Sequence, residues 1–338
     1  MSKIESAVED RLNHPDLPAI IIGEIGSNFG GSLKSAIEMI EMVAAAGCDF
    51  AKFQIFRADW LVQKGSYAHS VLAPLELTRE WIPDLVSACH KAGIGFCASP
   101  FDIEAVDLLA THSGPSLIKI ASPEVHDLPL IRAAARTEMP IVISSGLMTM
   151  EDIQVALDCI REEGNPTVCC LHCVSDYPTE PADCNLGMIG LIAERFGVPS
   201  GLSDHSPEIS IPMAAVALGA RVIEKHVTMD RTLDGPDHHF ALEPGPLREM
   251  VQGIRQIELA LGKETEYPIR YSAEKRAINN KAMVANEAIP AGVVISADML
   301  TVKRVRTGVR PRDINSLVGK KALTNIAEDE VVDESNTG

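Results

Sequence analysis

The stretch from Val222 to Pro244 gathers chemistry-bearing groups at short spacing. An apolar, strand-like run ends on Glu224, Lys225 and His226, and a Gly235-Pro236 turn then leads to Asp237, His238 and His239. Imidazoles bind divalent metals and move protons, and carboxylates do either kind of work. The division of roles depends on partners elsewhere in the chain. One such partner is His205, which ends the preceding apolar run, GLSDHS. Adjacent strands lie about 5 Å apart, so two imidazoles at neighbouring strand ends can share one ion. A lone strand-end histidine is more often a hydrogen-bonded structural residue. Two neutral nitrogens completed by water and substrate oxygens suit an octahedral Mn²⁺-type site, open also to Mg²⁺ or Co²⁺, better than a closed Zn²⁺ site. The reading is therefore His205 and His226 for metal and Asp237, aimed back by its turn, for chemistry. His238 and His239 are read as facing solvent or the rim of the site.

Two lysines lie inside apolar runs: Lys52 in FAKFQIF and Lys119 in LIKIASPE. A buried ammonium without an anion is costly. Each therefore requires a structural Asp or Glu, or a bound anion. Both together, beside several serine hydroxyls, suit one small ligand carrying a phosphate and a carboxylate.

The elements that must position these groups alternate regularly. Apolar runs start at Ala19, Phe50, Ile94, Leu117, Pro140, Val168, Pro199 and Arg221. Amphipathic segments such as SLKSAIEMIEMVAAAG and TREWIPDLVSACHKAG separate them, and both end in Gly, a helix stop signal. Near-continuous apolar strands alternating with helices mean a parallel sheet. Eight such units over roughly 250 residues predict a (β/α)8 TIM barrel, an α/β fold. A doubly wound open sheet is the alternative, weakened because no G-x-G-x-x-G follows the first strand. In a barrel the chemistry sits at the C-terminal strand ends. Those ends carry Glu24, Lys52, Gln54, Ser99, Lys119, Ser122, Glu124, Ser144, Ser145, Ser175, Tyr177, Ser203, His205, Glu224 and His226.

The formal charge of −17 argues against general nucleic-acid or anionic-membrane binding. The first residues show no apolar core of signal-peptide length and no run approaches a membrane span, so a cytoplasmic protein is expected. The eight cysteines read as small buried hydrophobes of a reducing compartment. Cys170 and Cys173 match C-x-x-C, but positions three apart on a strand face opposite ways, which argues against a shared zinc.

Residues 1–262 are read as the barrel domain and polar residues 263–280 as a linker. Residues 281–338 are read as a small β-rich module with strand-like pieces AMVANEAI, VVISADMLTVKRV and KKALTNIA.

The segments GEIGSNFGG, KFQ, KIASPE, SSG, LHCVSDYP, GLSDHS and EKHVTMDRTLDGPDHHFALEP, in this order, resemble the N-acetylneuraminate (sialic acid) synthase family over essentially the whole chain. The resemblance implies a barrel joined to a C-terminal antifreeze-like (SAF) domain. It implies condensation of phosphoenolpyruvate with an N-acetylated hexose, typically N-acetylmannosamine, to a nine-carbon sialic acid and phosphate. Carried over by motif, Lys52, Lys119, Ser144, Ser203 and Ser175 would hold phosphoenolpyruvate, which has both a phosphate and a carboxylate. His205 and His226 would hold the metal, and Glu24, Gln54, Tyr177 and Asp237 would meet the amino sugar. Glu124 would handle the water or its proton. Arg304 would reach the sugar from the partner subunit of a domain-swapped homodimer. Ser175 stands where many members carry Asn, and KRVRTG replaces the more usual K-R-P-G-x-G. Legionaminic and pseudaminic acid synthases belong to the same family. A deoxy sugar acid phosphate synthase would need a further Arg/Lys cluster that the strand ends do not offer. A non-catalytic binding protein would have no need of Lys119, His205 and His226.

Overall fold

The computed structural model describes residues 3–112, 115–262 and 272–338. The chain divides into two compact units, Met1–Lys263 and Glu264–Gly338. In the first, strands β1 (Ile20–Gly26), β2 (Phe50–Ile55), β3 (Gly95–Pro100), β4 (Pro115–Ile120), β5 (Ile141–Ser144), β6 (Val168–Cys173), β7 (Ser200–Asp204) and β8 (Val222–His226) form a closed barrel in sequence order. All neighbours pair in parallel, and β8 closes on β1. The expected TIM barrel is therefore the observed fold.

Helix α1 (Lys3–Asn13) precedes the barrel, and α2 (Leu33–Ala46) follows β1. Short α3 (Ala58–Leu61) and α4 (Tyr67–Leu72) lead into α5 (Ile82–Ala92). Helices α6 (Ile103–Thr111), α7 (Leu128–Ala135), α8 (Met150–Glu162), α9 (Met188–Phe196), α10 (Ser210–Ala217) and α11 (Pro244–Leu261) follow β3 to β8 in turn. The two glycine stops act as read: Gly47 and Gly93 end α2 and α5 in the left-handed conformation, φ 92° and 78°.

Strand residues alternate between two faces. The outer face, with Ile21, Ile118, Ile143, Cys170 and Ile223, packs under the helices in the main core. The inner face is apolar at one end only, where Ile20, Ile22, Phe50, Cys97, Leu117, Val142, Cys169, Leu171 and Val222 form a second cluster with Val8 and Leu12 of α1. Helix α1 thus plugs the N-terminal end of the barrel. Gly95 leaves room for the Phe50 ring, since a Cβ there would lie 2.2 Å from Phe50 Cε1. Two residues further along the same inward register come Glu24, Lys52, Ser99, Lys119, Ser144, Cys173 and Glu224. The period-2 register that fills the lower lumen with hydrocarbon therefore points polar groups into the upper lumen.

In the second unit, α12 (Ala273–Ile278) precedes β9 (Lys281–Ala285), which pairs antiparallel with β10 (Leu300–Arg304). Its core holds Met283, Ile289, Ile295, Leu300, Leu317, Ile326 and Val332. KKALTNIA forms no strand and pairs only through isolated bridges, such as Val294 with Lys321 and Ile289 with Ile326. Of the linker read at 263–280, residues 263–271 lie outside the described residues, and α12 lies within the remainder. Among the described residues no helix is long and apolar enough to cross a membrane.

Candidate active site

The upper lumen is floored by ion pairs. Lys52 Nζ lies 3.0 Å from Glu24 Oε1 and 3.6 Å from Glu224 Oε2, and donates to Ser99 Oγ at 3.2 Å. Lys119 Nζ donates to the Ile120 carbonyl at 3.2 Å and lies 3.8 Å from Glu224 Oε1. Glu224 Oε1 also accepts from Ser203 Oγ at 2.9 Å. These charged groups are all 4 % exposed or less. Burial opposes charge on Lys52, but Glu224 and Glu24 outweigh it and hold its pKa above the ordinary value. Burial wins at Lys119 and pushes it down, despite Glu224. Burial also disfavours charge on Glu224, yet Lys119 and Lys52 overcome this and lower its pKa to about 2. Both lysines thus have structural carboxylate partners, and Lys119 has the weaker one.

Beside them small polar groups crowd one backbone position. Ser122 Oγ accepts from the Gly146 N–H at 2.9 Å. A Cβ on Gly146 would meet Ser175 Oγ at 2.3 Å, Ser122 Oγ at 2.9 Å and Cys173 Sγ at 3.0 Å. Ser144 Oγ is buried without a hydrogen-bond partner. A buried hydroxyl left unmatched beside two ammonium groups points to a ligand oxygen as its partner.

The two imidazoles stand at the mouth, ring centroids 5.3 Å apart. His205 Nδ1 donates to the Val174 carbonyl at 2.7 Å, which puts the lone pair of the neutral ring on Nε2. His226 Nδ1 lies 3.4 Å from Asp237 Oδ2 without hydrogen-bond alignment. Burial pushes the His226 pKa down, but Asp237 outweighs burial and raises it. Burial likewise opposes ionisation of Asp237, and His226 overcomes it to hold that carboxyl below its usual range. Phe240, 1 % exposed, wedges against the pair, its centroid 5.0 Å from His226 and 6.3 Å from His205. The Tyr177 ring covers His205 at 4.2 Å. Among the described residues no three His, Cys, Asp or Glu side chains gather as one ligand set. The donor set fits a divalent ion held by two imidazoles, each Nδ1 facing an oxygen, with the other positions left to water and substrate.

Glu24, Gln54 and Asp237 converge next to this pair. Gln54 Nε2 donates to Glu24 Oε1 at 2.8 Å. A Cβ on Gly26 would meet Glu24 Oε1, Gln54 Nε2 and Asp237 Oδ2 within 3.6 Å. Glu24 Oε2 is buried without a hydrogen-bond partner.

Most residues read from the sequence thus come together. Glu24, Lys52, Gln54, Lys119, Ser144, Tyr177, Ser203, His205 and His226 line one cavity, with Asp237 and Ser175 against its edge. Glu124, in the turn after β4, does not line that cavity; burial first, then Asp127, raises its pKa to about 7. Arg304 ends β10 in the second unit, exposed. A larger open groove on the outer wall, lined by Pro83, Val86, Ser87, His90, Lys91 and His112, holds none of the strand-end groups.

Two readings need correction. His238 does not face solvent or a rim. It is 4 % exposed, and its Nδ1 is 2.7 Å from Thr228 Oγ1, so it braces the loop that delivers Asp237. Cys173 is not one more buried hydrophobe, because it lines the cavity. Burial would raise its pKa, but His205 in particular brings it below the ordinary thiol value. Cys170 packs with the helices instead, so C-x-x-C is split between faces as expected. The strand-end reading includes Glu224 and Ser122 without giving them roles. Counting the inward register two residues back from His226 would have found the first as a counter-ion. Phe240 had no signal beyond its place after two histidines.

Comparison with known proteins agrees with this architecture. The NeuB family matches residues 39–266, and the SAF domain matches residues 281–336. The chain is 35 % identical to the N-acetylneuraminate-9-phosphate synthase of Homo sapiens, covering 94 % of this chain and 92 % of that protein. It is 33 % identical to the N,N'-diacetyllegionaminic acid synthase of Legionella pneumophila, covering 92 % of each. The crystal structure of N-acetylneuraminic acid (sialic acid) synthetase from Leptospira borgpetersenii superposes with a TM-score of 0.73 at 33 % identity, over 78 % of this chain and 91 % of that one. With a barrel whose inward register delivers these groups and a matching C-terminal module, this chain belongs to the NeuB family and carries a SAF domain.

Proposed function

We propose that this enzyme condenses phosphoenolpyruvate with N-acetylmannosamine, or a related N-acetylated hexose, to a nine-carbon sialic acid and phosphate. The observation that carries the reading is the pair of buried lysines beside an unmatched Ser144 hydroxyl, below an imidazole pair at the barrel mouth. Lys52, Lys119, Ser144, Ser175 and Ser203 bind phosphoenolpyruvate, with charge and hydroxyl donors preset for its phosphate and carboxylate. Glu24, Gln54, Tyr177 and Asp237 orient the amino sugar so that its aldehyde carbon meets the enol carbon. Mn²⁺ held by His205 and His226, or Mg²⁺ or Co²⁺ in its place, would supply Lewis acidity at the sugar carbonyl. Glu124, next in the chain to the lining residues Ser122 and Pro123 and with a pKa raised to about 7, takes the proton of the water that adds to the former enol carbon through one further water, and phosphate then leaves with C–O cleavage.

The acceptor sugar is the finer part of the proposal, since similar relatives are named for neuraminate-9-phosphate, legionaminate and pseudaminate products. We take the enzyme to act as a homodimer in the cytoplasm, consistent with eight buried free cysteines. The SAF domain of one subunit then covers the site of the other and brings Arg304 to the sugar. The deciding experiment is phosphate release from phosphoenolpyruvate with Mn²⁺ across a panel. That panel holds N-acetylmannosamine, its 6-phosphate, and the diacetylated hexoses of the legionaminic and pseudaminic routes. Release with N-acetylmannosamine alone fixes the reading, release with another member reassigns the acceptor, and no release with any member rejects it.

A further inference from the structure

Just before the two imidazoles, successive register pairs of β7 and β8 are clamped on opposite faces of the sheet. Ser203 pairs with Glu224 and Asp204 with Lys225. Inside, Ser203 Oγ donates to Glu224 Oε1 at 2.9 Å. Outside, the Lys225 ammonium and the Asp204 carboxylate form an ion pair, with the residues 1 % and 3 % exposed. Lys225 Nζ also donates to the Ser206 carbonyl, to Ser206 Oγ at 3.4 Å and to the Glu208 carbonyl at 3.1 Å. The Asp204 carboxylate in turn accepts from the Ser206 N–H and Oγ–H, both at 3.0 Å. His205 therefore sits between two residues that are both tied to one ammonium, and that ammonium belongs to the residue next to His226.

We propose that Lys225 is a positioning residue for the imidazole pair: with Asp204 it fixes the separation of His205 and His226, and so the affinity of the site for a divalent ion. The proposal rests on the reading of those imidazoles as metal ligands. Strand β7 ends at Asp204, so His205 lies beyond the last paired residue of its strand. A slip of one residue moves a strand by about 3.3 Å, whereas metal–ligand distances tolerate about 0.2 Å. A ligand pair split between two strands needs those strands fixed at the height of the ligands. A buried ion pair is often no more stabilising than a well-packed apolar pair, but it is restrictive about geometry. Four polar groups converging on Lys225 supply such a restraint where the ladder stops.

The test is Mn²⁺ binding to the metal-free full-length protein, followed by electron paramagnetic resonance without substrates. Lys225→Met and the double variant Asp204→Asn/Lys225→Met should each bind Mn²⁺ at least about tenfold more weakly than wild type. The double variant leaves no unpaired buried charge and decides the matter if Lys225→Met does not fold. Arg79→Met serves as the control for stability alone, because it breaks the distant buried Arg79–Asp102 pair. It should melt lower yet bind Mn²⁺ as wild type does. Wild-type affinity in a folded Lys225 variant overturns the proposal, as does an equal loss in Arg79→Met. Unchanged Mn²⁺ binding in His226→Ala would remove the ligand assignment itself, and this inference with it.

Discussion

Lys52 Nζ and Glu24 Oε1 form a buried ion pair at 3.0 Å, whereas Lys119 meets its carboxylate partner, Glu224, only at 3.8 Å. The two lysines should therefore respond differently to the same substitution. Lys52→Met leaves buried Glu24 without its cation and Glu224 with Lys119 alone, and should cost about 3–5 kcal/mol of stability, the range for breaking a buried pair. Lys119→Met removes an ammonium whose charged form burial already disfavours, but one that also helps keep buried Glu224 ionised, so it should lower the melting temperature less than Lys52→Met does. Its cost should appear as a large rise in KM for phosphoenolpyruvate, with a smaller effect on the sugar. Equal weakening of both substrates in folded Lys119→Met would count against a phosphate or carboxylate contact.

Glu124 makes a pH prediction. Burial, then Asp127, raises its pKa from 4.5 to about 7. As the base for water addition it works ionised, so kcat should fall as pH drops through about 7. Glu124→Gln should lower kcat and flatten that limb. Stability runs the other way. The raised pKa favours the fold fully below pH 4.5, and this contribution is lost as pH rises toward 7, where the unfolded chain is ionised and the folded one is not yet. Wild type should therefore lose stability relative to Glu124→Gln across that window, as urea melts at several pH values would show. A pH profile unchanged by the substitution would take Glu124 out of the chemistry.

Gly146 tests the hydroxyl cluster. A methyl group there would sit 2.3 Å from Ser175 Oγ and 2.9 Å from Ser122 Oγ, so both must move. Gly146 has an ordinary backbone conformation, so the effect of Gly146→Ala is steric and local. The expected result is a folded protein with KM for phosphoenolpyruvate raised at least about tenfold, since displaced donors meet the ligand poorly. Wild-type kinetics would show that Ser175 is not a phosphoenolpyruvate contact.

The barrel and most of its polar mouth were legible because both follow from one period. Runs such as AIIIGEIG and VIEKH are strands by composition, and every second residue shares a face, so Ile20-Ile22-Glu24 and Val222-Glu224-His226 pass from core to site in one step. Which carboxylate meets which lysine was not legible. Glu224 pairs with Lys52 and Lys119 across the lumen from β8 to β2 and β4, and only barrel closure and register decide that. The burial of His238 was hidden for a similar reason. Thr228, ten residues earlier, reaches it only once the loop after β8 has folded back.

The SAF domain makes the last prediction. Its segment TVKRVRTGVRPRDINSLVGKK gathers Lys303, Arg304, Arg306, Arg310, Arg312, Lys320 and Lys321 in an otherwise acidic chain. A solvated basic loop would account for the composition, and a lid over an anionic site contributed by the partner subunit would also account for it. Mixing two defective chains separates them. Arg304→Ala damages the lid and His226→Ala the barrel, so each homodimer should be nearly inactive. In a shared-site dimer made by co-expression, each mixed dimer has one site built from an intact barrel and an intact lid. With random pairing, half the dimers are mixed and half of their sites are whole, so roughly a quarter of wild-type activity should return. A lid acting on its own barrel repairs no site in any pairing. Confirmed mixed dimers without recovered activity would therefore place Arg304 over its own subunit or outside the reaction.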